Sequence, residues 1–125
     1  MQPRFHIVMF HPEIPHNTGA AGRLALATGS RLHLIKPLGF SLDEKHVRRT
    51  GLDYWAKVDL HVWDSLEELK QAAAPGAQFW YLSTKAPRSH WDAVFHAGDY
   101  LVFGPESRGL PESMLREHAD TALTI

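Results

Sequence analysis

Tyr100-Leu101-Val102-Phe103 runs straight into Gly104-Pro105-Glu106-Ser107-Arg108-Gly109-Leu110-Pro111. The first four residues are aromatic, apolar or β-branched and predict a buried strand, and the pattern over 112–118 predicts a short helix beyond the loop. Two glycines open backbone conformations closed to other residues, and two prolines fix φ and remove N–H donors. Glu106 and Arg108 lie between them. Rigid loops at strand ends are where α/β proteins place chemistry. Taken alone, the segment reads equally well as a turn with Pro111 at the first helical position.

Working outward, Phe5-His6-Ile7-Val8-Met9-Phe10 is almost continuously apolar, as expected of a strand buried on both faces of a parallel sheet. The loop His11-Pro12-Glu13-Ile14-Pro15-His16 follows, and Asn17 or Thr18 offers a capping oxygen to a helix reaching Thr28, with Gly29 as its stop. Leu32-His33-Leu34-Ile35 predicts a second strand, followed by the turn Lys36-Pro37-Leu38-Gly39-Phe40, a polar helix over 43–50 and an irregular stretch at 51–55. Residues 58–63 alternate in polarity, which predicts a more exposed strand. Ser65-Leu66-Glu67-Glu68 is a capping box opening a helix to Ala74, ended by Pro75-Gly76. Further strands are expected at 78–83 and 122–125, with a long polar loop over 84–90. The alternation predicts a Rossmann-like, mainly parallel α/β sheet with helices on both faces.

The whole chain sets bounds on function. Its 125 residues, 44% hydrophobic, suit one domain with a real core. Cysteine is absent, which excludes disulfides, thiol nucleophiles and thiolate metal sites. The N-terminus has no signal-like apolar run and no stretch approaches membrane-spanning length, so a cytoplasmic protein with no membrane partner is expected. The formal net charge is −1, so an anionic partner would need a local basic patch.

Two common nucleotide fingerprints, Gly-x-Gly-x-x-Gly after the first strand and Gly-Lys-Ser/Thr, are missing. Ser83, Ser89 and Ser107 lack a nucleophile elbow or an obvious base, which disfavours hydrolysis. His6, His11 and His16 are spaced by five but fall in a strand and a Pro-rich loop, so no metal is expected. Basic residues gather at Lys45, His46, Arg48 and Arg49 and again at Lys85, Arg88 and His90. With Tyr54 and Trp55 near the first group for stacking, these favour a phosphate-bearing partner over plain solvated faces.

The segment Pro12-Glu13-Ile14-Pro15-His16-Asn17-Thr18-Gly19-Ala20-Ala21-Gly22-Arg23-Leu24 is more specific. Together with Lys36-Pro37-Leu38-Gly39-Phe40, Arg48-Arg49-Thr50-Gly51-Leu52-Asp53-Tyr54, Ser83-Thr84-Lys85 and the loop at 103–111, it resembles the SpoU branch of the SPOUT methyltransferases from Phe5 to Ile125. The resemblance implies a C-terminal trefoil knot holding S-adenosyl-L-methionine, and a homodimer whose active site draws on both subunits. It implies methyl transfer to a ribose 2′-hydroxyl of tRNA, at the wobble nucleotide. Ribosomal RNA as substrate and a catalytically silent RNA-binding relative are the alternatives. Carried over by position, Asn17, Arg23 and Glu106 are the catalytic candidates, and Leu82, Thr84, Gly104, Glu106 and Ile125 the donor contacts. Arg23, Lys45, Arg48, Arg49, Lys85 and Arg88 are expected to face RNA. Ala20 stands where the family usually carries Asn, and the family's third motif is expected just after Ile125, so the knot is incomplete without it.

Overall fold

The computed structural model describes residues 4–39, 57–83, 88–89 and 94–124. Their strands are β1 (His6–Phe10), β2 (Arg31–Ile35), β3 (Leu60–Trp63), β4 (Phe79–Leu82), β5 (Arg88–Ser89), β6 (Tyr100–Phe103) and β7 (Ala122–Thr124). The helices are α1 (Pro15–Thr28), α2 (Leu66–Ala72) and α3 (Glu112–Glu117), with a 3₁₀ turn at Ala119–Thr121. The strands form one sheet ordered β3-β2-β1-β6-β4-β7-β5. Every pairing in it is parallel. The chain winds outward from β1 through β2 to β3, then resumes on the far side of β1 at β4, and β6 inserts between β1 and β4.

Alternation along the strands builds a core on each face. Val8, Phe10, Ile35, Tyr81, Tyr100 and Val102 pack with Leu66 and Leu69 of α2 and Leu115 of α3. Ile7, Met9, Leu32 and Leu34 pack on the opposite face with Ala25 of α1. Helices therefore cover both faces, as the strand–helix alternation implies. β1 is buried at every position, whereas β3, at the edge of the described sheet, has no buried residue, in keeping with its alternating polarity.

Three expectations are corrected. The first helix begins at Pro15, with Ile14 at the N-cap and no side-chain cap. Proline's fixed φ suits the first helical position, and its missing N–H is one that a helix leaves unpaired anyway. The Ile14 carbonyl accepts the amides of Asn17 and Thr18 at 3.1 and 3.3 Å, so both residues lie inside the first turn. The second helix closes at Ala72 instead of Ala74. A short strand, Arg88–Ser89, pairs with β7 inside the expected polar loop; its ladder is a backbone interaction that polar side chains do not advertise. The helix expected over 43–50 and the irregular stretch at 51–55 fall outside the described residues. Among those described, no helix is long and apolar enough to cross a membrane.

Candidate active site

In open parallel sheets, ligands bind beyond the C-terminal strand ends where the winding direction reverses. That point here is the junction of β1, β6 and β4. A cleft of about 1030 Å³ opens there, lined by Phe10 at the end of β1 and His11 beyond it, Leu82 at the end of β4 and Ser83 beyond it, Phe103 of β6, and residues 104–112. The loop at 104–111 therefore forms one wall of the cavity.

This loop doubles back on itself. The amide of Gly109 donates to the Pro105 carbonyl at 2.8 Å. A Cβ on Gly104 would lie 2.3 Å from both the Gly109 carbonyl carbon and the Leu110 nitrogen, so glycine is required by space. Gly109 is required by dihedral instead: its φ is +69°, and the nearest atom to a Cβ would be Ser83 Oγ at 3.8 Å. Leu110 is buried and anchors the far end of the loop in the core.

The loop is also bonded to the segment leading into α1. Glu106 Oε2 accepts the Glu13 amide at 2.8 Å. Glu13 Oε1 accepts the Ser107 amide at 2.9 Å and the Ser107 hydroxyl at 2.7 Å. Bonds from the Ser107 amide and then its hydroxyl hold the Glu13 carboxyl below the usual range, and Arg108 nearby acts in the same direction. His11 has φ +51° and stacks on Phe10, ring centroids 3.7 Å apart. Burial, and then the Arg108 charge, lower its pKa, which favours the neutral ring.

The sequence candidates distribute unevenly over this geometry. Leu82, Gly104 and Glu106 line the cleft. Arg23 and Asn17 are exposed on α1 and do not line it. They are six residues apart, about 120° around the helix, so they point in different directions. Arg88 lies on β5. Thr84, Ile125, Lys45, Arg48, Arg49 and Lys85 lie outside the described residues. Sequence reasoning missed Glu13 and His11. A carboxylate in a Pro-flanked loop gives no sign of the distant residue it bonds, and a histidine gives no sign of a positive φ.

A cleft at the switch point of a parallel sheet, walled by a doubled-back glycine loop, is the arrangement of open α/β proteins that bind ligands beyond their strand ends. The chain belongs to the SpoU rRNA methylase family, whose profile matches residues 4–125. It is 53% identical to a tRNA (cytidine(34)-2′-O)-methyltransferase of Saccharophagus degradans over 114 residues, 89% of this chain and 71% of that protein. It superposes with a TM-score of 0.89 on a solved structure concerned with the 2-OH methylation of C/U34 on tRNA, at 46% identity, covering 97% of this chain and 78% of that one. The SpoU methyltransferase AviRb from Streptomyces viridochromogenes, solved with AdoMet, shares the fold at a TM-score of 0.77 and 21% identity, covering 100% of this chain and 52% of that one.

Proposed function

We propose that this chain is an S-adenosyl-L-methionine-dependent tRNA 2′-O-methyltransferase acting on the wobble cytidine or uridine. The observation that carries the reading is that Leu82 and Gly104, donor contacts by resemblance, meet at the switch-point cleft. The likeness to enzymes named for position 34 supplies the substrate. The residues fit the donor: apolar Phe10, Leu82 and Phe103 offer packing for an adenine ring, and the loop at 104–109 presents backbone beside polar side chains. The donor supplies an electrophilic methyl group on a sulfonium.

With the donor bound, the ribose 2′-oxygen would take the methyl group as the S–CH₃ bond breaks, leaving a neutral thioether, and the hydroxyl proton would pass to water. A neutral hydroxyl is a weak nucleophile, so developing negative charge on that oxygen needs stabilisation. Arg23 supplies it and braces the adjacent phosphate, because its guanidinium is a permanently charged fork of donors. Asn17 and Glu106 complete the machinery: Asn17 orients the RNA end, and Glu106 shapes the donor wall. Lys45, Arg48, Arg49, Lys85 and Arg88 supply phosphate contacts. The reading includes the trefoil knot, donor contacts from Thr84 and Ile125, and a homodimer working on cytoplasmic tRNA. Arg23 stands outside the cleft of its own chain, so an active site shared between two copies is the arrangement that uses it. The exposure of Leu24 and Leu26 on α1 supports a second copy packing there.

Transfer of labelled methyl groups to total tRNA by the full-length protein and by Arg23→Ala tests this. We expect robust transfer by the first and a loss of at least about a hundredfold by the second, the size of a lost transition-state contact. Equal rates would remove Arg23 from the mechanism. The family's description as rRNA methylases favours ribosomal RNA as the second substrate to try; labelling of rRNA alone would move the substrate there.

A further inference from the structure

Glu13 carries no part of the reaction above, yet its bonds span the cleft's rim. Its carboxylate takes both donors of Ser107, 94 residues along the chain, and Glu106 returns a bond to Glu13's own amide. The exchange is reciprocal: a carboxylate from each loop satisfies a backbone donor of the other. Glu13 is also boxed in from behind. The Gly39 amide donates to the Pro12 carbonyl at 2.9 Å, and a Cβ on Gly39 would lie 3.0 Å from the Cα and the carbonyl oxygen of Glu13. Gly39 thus backs the backbone from which the Glu13 carboxylate reaches the two Ser107 donors.

We infer that Glu13 is a positioning residue that latches the 104–109 loop into the shape lining the cleft. The latch also ties that loop to the segment that opens α1, so the donor wall and the helix bearing Arg23 share one support. Exposed bonds of this kind add little to global stability, because water competes for every donor and acceptor. Their effect falls on the geometry of the loop, which contacts the ligand. The inference rests on the methyl-donor reading for the identity of that ligand, and on the bonds themselves for the latch.

The test uses the full-length protein and the variants Glu13→Ala, Glu13→Gln, Ser107→Ala and Glu13→Ala/Ser107→Ala. Donor affinity is measured by calorimetry with S-adenosyl-L-methionine, alongside thermal midpoints and amide hydrogen exchange. Glu13→Ala should weaken donor binding about tenfold, the scale of one charge-assisted bond. Glu13→Gln retains an acceptor oxygen and should recover most of that loss. The double variant should bind no more weakly than Glu13→Ala, since the Ser107 hydroxyl acts through Glu13. A role confined to stability would lower the thermal midpoint and leave donor affinity within about twofold; that result, or additive losses in the double variant, overturns the latch. Should the unmodified protein bind no donor, the methyl-donor reading fails by itself. The latch is then decided by exchange at the Ser107 amide, which must accelerate in Glu13→Ala; unchanged exchange overturns it. If Glu13→Ala does not fold, Glu13→Leu, of similar size but with no acceptor, carries the comparison: a donor affinity about tenfold below that of Glu13→Gln supports the latch, and affinity within about twofold of it overturns it.

Discussion

Gly104 stands where a side chain has no room, because the atoms it would strike are backbone. The Gly109 carbonyl carbon and the Leu110 nitrogen, each 2.3 Å from a built Cβ, cannot rotate aside as a side chain would. Gly104→Ala must therefore open the doubled-back loop. We expect donor affinity to fall by more than about tenfold and the thermal midpoint by several degrees, a consequence of overpacking against rigid neighbours. Calorimetry and a melting curve check this, and an alanine variant that binds within about twofold of the original would show that the loop relaxes cheaply. Gly109→Ala makes a useful contrast. Its Cβ would meet only Ser83 Oγ, at an ordinary contact distance of 3.8 Å, and it bears the strain of a left-handed φ, a cost of about 1 kcal/mol. Both glycines stand out in the sequence for the same reason, flanking prolines in a strand-to-helix loop. Which one fails by collision and which by dihedral depends on the return path of the chain, and no local pattern carries that.

At the scale of elements, what was legible followed the strength of local signals. Ser65 is read as a capping residue from Ser-Leu-Glu-Glu, and its Oγ does accept the Glu68 amide at 3.2 Å. Ser65→Ala should cost about 1 kcal/mol and lower the urea midpoint accordingly, whereas Ser65→Asp should hold it near the original value. An unchanged midpoint in Ser65→Ala would mean that water replaces the cap without loss. β1, β2, β4 and β6 are readable because apolar and aromatic residues dominate interior strands of a parallel sheet: β1 is buried throughout, β2 and β4 at all but their first residue, and β6 at alternate residues. The start of α1 was misplaced because Asn17 and Thr18 are good capping residues, and the preset φ of Pro15 overrode them. β5 was unreadable because two polar residues at a sheet edge owe their state to the partner strand. The site followed the same division. The glycine-rich wall was visible as a motif, whereas the Glu13–Ser107 latch joins loops that only the parallel topology brings together.

The same topology sets a property of the whole molecule at the opposite end of the sheet. Histidines from three neighbouring strands, β1, β2 and β3, share one face: His6, His33 and His61. Trp63 Nε1–H donates to His33 Nδ1 at 3.0 Å, which leaves the proton of neutral His33 on Nε2, where it is donated to His6 Nδ1 at 2.8 Å. Each ring thus accepts at the nitrogen that protonation would occupy. His6 stacks on Tyr100 at 3.9 Å, and both histidines are buried, 7% and 2% exposed. Burial first, then the positive charge of Arg31 for His6 and the neighbouring His6 for His33, lower their pKa values to about 4 and about 3. Unfolding restores both to 6.5, so the unfolded chain binds more protons below that value. Stability is accordingly expected to be complete above pH 6.5 and to decline as pH falls toward 4, by up to about 1.4 kcal/mol per pH unit for each histidine. The lowered pKa values of His11 and His118 act in the same direction. The carboxyls of Glu13 and Asp59, already held below their ordinary 4.5 and 3.8, contribute only in stronger acid, so the upper part of this window belongs to histidine. Urea unfolding at steps between pH 7.5 and 4.5 measures the decline, and His33→Phe should flatten it even if the variant is less stable at neutral pH. A midpoint that stays level down to pH 4.5 would mean that the buried histidines admit protons without loss, and the relay from Trp63 through His33 to His6 would then have no part in holding the sheet together.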